Sequence, residues 1–568
     1  MFLPFRNATR RPEHEWLVTG APLMLGQVLG QFRDLNVVSD EQLAAARRRV
    51  RVPADSVPDA TQQRRLAEET GGWTAVTGSV LGTASGVRVS LTATDVPTSN
   101  VIVRASVDAP ANADLRETFD ALSVRLLEPS GVPASGQSLA ALTTQSVDAY
   151  RAYLRGKDHY NRSNYRSALD AFIEAVRLDS TFALAWGHAA FVSIGARGFG
   201  EALDPTTILY RAIDQATRHG SRLPAGQLTN VRVLQAFARA NTGEARRIAD
   251  SVVTADPQNI GAIDLAAFIH GLSIFLSQSM SRDTMARHVN RTVGLVRQLL
   301  QIDPSRRVMY SMPAMIYGMA GGLFWGFTWA DDRQFTSMPF MMMSVTQQAK
   351  ATYVPLLRDS IVFVPTDSFR ALPAAERARL RRPGADRAME WVREWLSVGP
   401  EDADAHLWAS RIADLQGDYP TALREFRIAD SLGINSALES VPGRRLSLMV
   451  LAGEHVRAGA FADSLLAAGA LKQPPFITIV DRRWPYAVAA LLLSKRWESA
   501  GRLADIVNVT ARLTPACESL IRQVTLSDAA PPEHVWREVR DTVAKYADAV
   551  RAVPALAPCA TTLSTMKD

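Results

Sequence analysis

The residue types that perform chemistry are sparse and scattered in this chain. Its nine histidines show no metal-ligand spacing. His455 and His534 each follow a glutamate, Glu454 and Glu533, but adjacent residues on a helix point in different directions. The acid pairs Asp331–Asp332 and Glu401–Asp402 stand at segment ends, where capping and solvation account for them. No GxxxxGK[ST] phosphate loop, HExxH zinc motif, HRD or DFG kinase motif or GxSxG elbow occurs. The sequence therefore predicts no catalytic residue, no metal site and no cofactor. Two cysteines, Cys517 and Cys559, are too few for a disulfide framework or a Cys-based zinc site. They are able to form one bridge in an oxidising compartment, and otherwise stay buried thiols.

Binding residues are better represented. Tyr150, Tyr153, Lys157, Tyr160 and Asn161 set three tyrosines around a lysine on one helical stretch. Such an amphipathic surface suits a peptide or its carboxylate. The competing reading packs the same side chains on the N-terminal domain or the next repeat. A later stretch offers Asp404, Arg411 and Asp414 in the equivalent place. A second candidate is the Met- and aromatic-rich block from Met309 through Met343. There Met315, Met319, Trp325 and Trp329 would line an apolar pocket, because Met adapts to varied ligands. The competing reading makes that block the sealed core beneath an insertion.

The elements that must position these residues are mostly helical. At 568 residues the chain exceeds one ordinary core, which stops growing at roughly 250–300 residues. Its apolar share of 47% and charged share of 21% are those of folded globular protein. After Ser146, paired helical patterns recur at a tetratricopeptide length, about 34 residues. In the clearest unit, Gly156 and Ala168 let two helices approach, while Tyr165 and Phe172 fill the space to the next pair. Ala422, Phe426 and Ala429 repeat the spacing of Ala168, Phe172 and Ala175. The fold class predicted is an α-solenoid of tetratricopeptide-like hairpins preceded by a small α/β domain.

The predicted boundaries follow from texture. Residues 1–128 form the α/β domain, with at least five strands, among them Phe2–Phe5 and Leu35–Val38. Ser39 caps a helix there, with Gln42 at capping-box spacing. Residues 129–145 are a Pro/Gly/Ser-rich linker, and 146–330 and 373–526 are repeats. Residues 331–372 are an apolar insertion, read as a hairpin, and 527–568 a final helix and tail. The uncharged stretch Val308–Ala330 is long enough to span a membrane, but Pro313 and its glycines favour buried core. The net charge of +6 is small for this length, and the run Arg47, Arg48, Arg49 and Arg51 reads as a solvated helix end. No nucleic-acid partner is expected, since binding one takes a stripe of phosphate contacts. A protein partner is expected; oligomeric state stays open.

The stretches LPFRNATRRPEHEWLVTGAPLMLGQVL and LAEETGGWTAVTGSVLGTASGVRVSLTATDV resemble the small TolB amino-terminal and FlgO-like domain. The junction TTQSVDAYRAYLRGKDHYNRSNYRSALDAFIEAVRLDSTFALAW is similar to the point where such domains meet tetratricopeptide repeats. In bacterial receptor-like kinases, adenylate cyclases and transcriptional activators this pair is an accessory region, with the effector upstream. The resemblance implies a sensor or interaction module of a bacterial signalling system. It carries over no catalytic residue. The start MFLPFRN lacks a signal peptide's pattern. The expected compartment is the cytoplasm if Met1 is the true start, and outside it if an upstream anchor is missing. The functional expectation is a non-catalytic module that binds a protein segment in the repeat groove. The alternative is a small-molecule sensor built on residues 309–343.

Overall fold

The computed structural model describes the chain except residues 33–34, 54–55, 112, 131–135, 198–204, 224, 277–280, 325–326, 329–350, 356–359, 366–367, 370, 435–440, 472–482, 511–531, 558–559 and 561–568. Cys517, Cys559, Trp325 and Trp329 lie outside the described residues, and with them the Cys517–Cys559 bridge and half of the Met/aromatic pocket. The chain divides into two compact units: Met1–Leu276 with Arg291–Met309, and Ser277–Asn290 with Tyr310–Asp568.

The first unit opens on a small sheet. Strands β1 (Arg6–Asn7), β2 (Thr74–Gly82), β3 (Gly86–Asp95) and β4 (Val101–Pro110) lie in that order. β1 runs parallel to β2, and the others pair antiparallel. Alternation along β3 buries Val87, Val89, Leu91 and Ala93, as a period of two requires. Helix α1 (Leu17–Leu29) packs on α4 (Leu115–Leu127), which packs on β3 and β4. Between them in sequence, α2 (Asp40–Val50) pairs with α3 (Ala60–Thr70). Leu43, Ala46, Leu66 and Ala67 from this pair share a core with Met1, Leu3 and Val38.

Two expectations about this domain are corrected. The sheet has four strands, not five. Leu35–Val38 joins no ladder among the described residues; Val38 is buried in the core through its side chain. Phe2–Phe5 contributes one parallel bridge, Phe2 to Val76, and the next N–H in step, that of Phe5, donates to the Val18 carbonyl instead of β2. The cap at Ser39 is present, its Oγ accepting from the Gln42 N–H at 3.1 Å. The full reciprocal box is one helix later, at Asp59 and Gln62.

A short helix, α5 (Leu139–Leu142), leads into helical hairpins. They are α6 (Val147–Asn161) with α7 (Tyr165–Leu178), α8 (Ala183–Arg197) with α9 (Ile208–Arg218), and α10 (Ala225–Ala238) with α11 (Thr242–Ala255), followed by α12 (Ile260–Leu276). Each packs on the next in chain order, which is the solenoid arrangement. The small residues act as the spacing predicts. A Cβ on Gly156 would lie 2.5 Å from the Phe172 ring. Phe172 itself is fully buried, worth about 1.5–3 kcal/mol of transfer free energy. Helix α13 (Arg282–Ile302) changes unit after Asn290.

The second unit includes α14 (Ser311–Ala320), which is too short for the membrane span that Val308–Ala330 has the length to form. Among the described residues no helix is long and apolar enough to cross a membrane. Two short ladders follow: β5 (Leu323–Phe324) with β6 (Phe327–Thr328), and β7 (Ala351–Pro355) with β8 (Ile361–Pro365). The Asn290 amide clamps the second, donating to the Ile361 carbonyl at 2.9 Å and accepting its N–H at 2.8 Å. α14 then packs on α15 (Ala374–Val398) through backbone contact, since a Cβ on Gly384 would stand 2.5 Å from the Gly321 nitrogen. The hairpin α16 (Ala403–Leu415) and α17 (Tyr419–Ser431) turns at Gly417, whose φ of +76° suits glycine. Ala422, Phe426 and Ala429 are buried there. The described remainder is α18 (Val441–Leu451), α19 (His455–Ala467), α20 (Arg483–Leu493), α21 (Trp497–Thr510), α22 (Glu533–Lys545) and α23 (Ala547–Arg551).

Candidate functional site

The first helices of successive hairpins share one face in the first unit. On α6 that face carries Tyr153, Lys157 and Tyr160; on α8, Leu184, His188 and Phe191; on α10, Gln227, Asn230, Val231 and Leu234. Each set recurs at three or four residues, with Asn230 and Val231 both falling in that window after Gln227, the spacing that keeps side chains on one side of a helix. Together they line a cavity of about 510 Å³. Its opposite wall comes from the N-terminal domain, through Leu23 of α1 and Asp40, Glu41, Leu43 and Arg48 of α2.

Helix α2 is held on the repeats at both ends. At its N-terminus Lys157 pairs with Glu41 and, at 3.2 Å, with Asp40. The Asn161 amide donates to Asp40 at 2.7 Å. At its C-terminus Arg48 donates to the Asn161 carbonyl at 2.7 Å and to Asp303 at 2.5 Å, and Arg49 donates to the Ile302 carbonyl. Arg47 turns inward instead and binds the Pro53 and Ser56 carbonyls. The arginine run is thus corrected: three of its four members are tied to protein, and it is not a solvated helix end. A second tie is Arg116, which pairs with Asp114 and donates to the carbonyls of Thr144 and Gln145 at the entry to the repeats.

The electrostatics follow from burial. Burial, with Glu41 beside it, raises the Asp40 carboxyl to about 6 despite Lys157. Burial opposes ionisation of Glu41 as well, but Lys157 outweighs it and holds that carboxyl below its ordinary range. Burial likewise works against the Lys157 ammonium, and the two carboxylates overcome it, so its pKa stands well above the usual value. Burial first, then Lys157, lowers His188 to about 4. Its Nδ1 lies 3.0 Å from the Leu184 carbonyl, which only accepts, so Nδ1 carries the proton and Nε2 is a bare acceptor.

The predicted site residues part company here. Tyr153, Lys157, Tyr160 and Asn161 do come together, on the wall of this cavity. They are not an open groove: Tyr153, Lys157 and Tyr160 are 1%, 4% and 2% exposed, with Lys157 and the Tyr153 hydroxyl meeting the N-terminal domain and Tyr160 packed against Tyr165, Phe191 and Arg306. Tyr150 faces that domain outright, donating to Gln27 at 2.6 Å. Arg411 belongs to the second unit and is 6% exposed. Beside it Asp414 meets the buried Arg444 at 3.5 Å, so this stretch is interior as well. Met315 is buried in α14 and Met319 is half-buried.

His188, Gln227 and Asn230 on the repeats, and Asp40 and Glu41 on α2, carry no site role in the sequence reading, and Arg48 enters it only as part of a solvated run. The first three were findable by carrying the positions of Tyr153, Lys157 and Tyr160 onto the next inner helices. The α2 residues carry no such signal, since their role depends on docking across more than a hundred residues of chain. Elsewhere His406 binds Glu425 at 2.7 Å and the Pro400 carbonyl at 2.9 Å, which occupies both its ring nitrogens. Among the described residues no cluster of His, Cys, Asp and Glu could hold a metal ion.

No protein-family model matches this chain, and no curated protein matches it. Among solved structures, it is similar to one described as Naa15/Naa10 bound to HypK-THB, at 11% identity. That match covers 76% of each chain with a TM-score of 0.22. Another is the human IFIT1 dimer with m7Gppp-AAAA, at 12% identity, covering 74% of this chain and 90% of that one, with a TM-score of 0.21. Likeness at this level assigns no residue and no function here.

Proposed function

We propose that this chain is a non-catalytic interaction module of a bacterial signalling system, and that the inner face of its first hairpins receives a protein segment. The observation that carries the reading is the seating of α2. The repeat face already holds one helix, an acid-led one, through Lys157 and Asn161 at one end and Asp303 at the other. A face that grips a helix in this way is a helix-in-groove receptor, and α2 is its resident occupant. The resemblance of the N-terminal stretch to accessory domains of bacterial signalling proteins supports the context.

A partner must then compete with α2 for Lys157. Asp40→Asn with Glu41→Gln weakens the resident helix and leaves Lys157 in place. In pull-downs from native extract this double variant should retain several-fold more of a defined partner than the wild-type chain. Adding Lys157→Ala should abolish the gain. Equal capture by all three, or none by any, would remove the basis for the reading.

A further inference from the structure

The cavity beneath α2 has the character of a ligand site distinct from a surface for a protein segment. Its volume, about 510 Å³, falls within the roughly 300–1,000 Å³ of small-molecule pockets. The carboxylates on its wall and three of its four cationic side chains are ion-paired, and the fourth, Arg47, binds carbonyls. Lys157 holds Asp40 and Glu41, Arg48 holds Asp303, Arg162 holds Asp158, and Arg47 is spent on carbonyls. A charged guest would be desolvated and would have to compete with these existing pairs and carbonyl contacts for a counter-charge, which is unfavourable.

Beyond these pairs the wall offers mainly neutral groups; the Arg48 Nε is also buried without a hydrogen-bond partner, but that guanidinium's charge is already met by Asp303. His188 offers Nε2 as an acceptor, because Nδ1 is committed to Leu184. The Tyr160 hydroxyl and Asn161 Oδ1 are buried and find no hydrogen-bond partner among the described residues. Such orphaned polar atoms are uncommon in folded proteins and point to a missing occupant. The rings of Tyr153, Tyr160 and Phe191, with Leu184 and Leu234, supply aromatic and apolar surface.

We propose that this cavity binds a small, uncharged aromatic or heteroaromatic compound that donates an N–H or O–H to Nε2 of His188. The inference does not rest on the protein-partner reading, and the two are measured separately.

The probe is N-phenyl-1-naphthylamine, a neutral two-ring amine with one N–H, titrated into the full chain and read by fluorescence. Its sulfonated relative, 1-anilinonaphthalene-8-sulfonate, has the same ring system with a negative charge. The neutral probe should saturate at one site per chain, and the sulfonate should bind at least ten-fold more weakly. His188→Phe keeps the ring and removes the acceptor; it should weaken the neutral probe about five-fold or more. Asn230→Trp fills the cavity from a half-buried position and should abolish binding, with circular dichroism confirming that both variants are folded. Absence of binding, equal or tighter binding of the sulfonate, or a neutral probe indifferent to both substitutions overturns the proposal. Loss in Asn230→Trp with no change in His188→Phe overturns the donor assignment.

Discussion

Asp40, Glu41 and Lys157 form the most consequential cluster at the scale of single residues. Lys157 is almost wholly buried and survives there because two carboxylates face it. Removing one member of such a cluster leaves the others buried without a counter-charge, at roughly 3–5 kcal/mol in general. Glu41 and Asp40 keep side-chain exposures of 17% and 30%, so water screens part of that. Lys157→Met should therefore destabilise the first unit by about 3 kcal/mol, seen as a lower urea midpoint. Asp40 behaves in the opposite sense. Its carboxyl is raised, so between pH 3.8 and about 6 the folded chain holds a proton that the unfolded chain has released. This group favours folding on the acid side and opposes it above about pH 6. Asp40→Asn should thus stabilise by about 1 kcal/mol at pH 7 after allowance for screening, and by nearly nothing near pH 4. A variant less stable than wild type at pH 7 would mean that the Asp40 charge is favourable where it lies.

Glycine separates packing from propensity at the scale of elements. Ala is favoured over Gly inside a helix by about 1 kcal/mol. At Gly294, exposed in the middle of α13, a Cβ meets nothing within 4 Å. Gly294→Ala should gain most of that propensity and raise the melting temperature. At Gly156 the same methyl meets Phe172 at 2.5 Å, and overpacking typically costs about 1–3 kcal/mol. Gly156→Ala should lower the melting temperature, because the clash outweighs the propensity gain. Thermal melts by circular dichroism read both signs, and a rise in both would show that the α6–α7 contact is loose. Gly384 is tighter still, since it meets backbone and not a ring that can turn.

The relevant fact at the scale of the whole chain is its division into two units, each with its own buried core. Helical repeats are stabilised by nearest neighbours, so damage stays local. Equilibrium unfolding in urea should show more than one transition. Gly156→Ala should shift one of them and Gly384→Ala another. A single transition moved equally by both would show one cooperative block. This is also why one stability value for the whole chain would not be well defined.

Much of the fold is legible in the sequence alone. Helical hairpins are built from local periodicity, and Gly156, Ala168 and Phe172 announce their packing by spacing. The caps at Ser39 and Asp59 are equally local, a side chain and an N–H three residues apart. Strand content is less legible: Leu35–Val38 has strand-like composition but no strand partner among the described residues, and pairing is decided elsewhere in the chain. The site is half legible. Tyr153, Lys157, Tyr160 and Asn161 mark the inner face of the first repeat from sequence. Only the tertiary structure decided that α2 covers that face, that Arg48 reaches Asp303 across 255 positions, and that His188 lines the cavity with its Nδ1 committed to Leu184. Periodicity fixes which side of a helix is inward. It carries no record of what a distant segment will lay against that side, because that choice is made by charge pairing and burial between surfaces brought together only by folding.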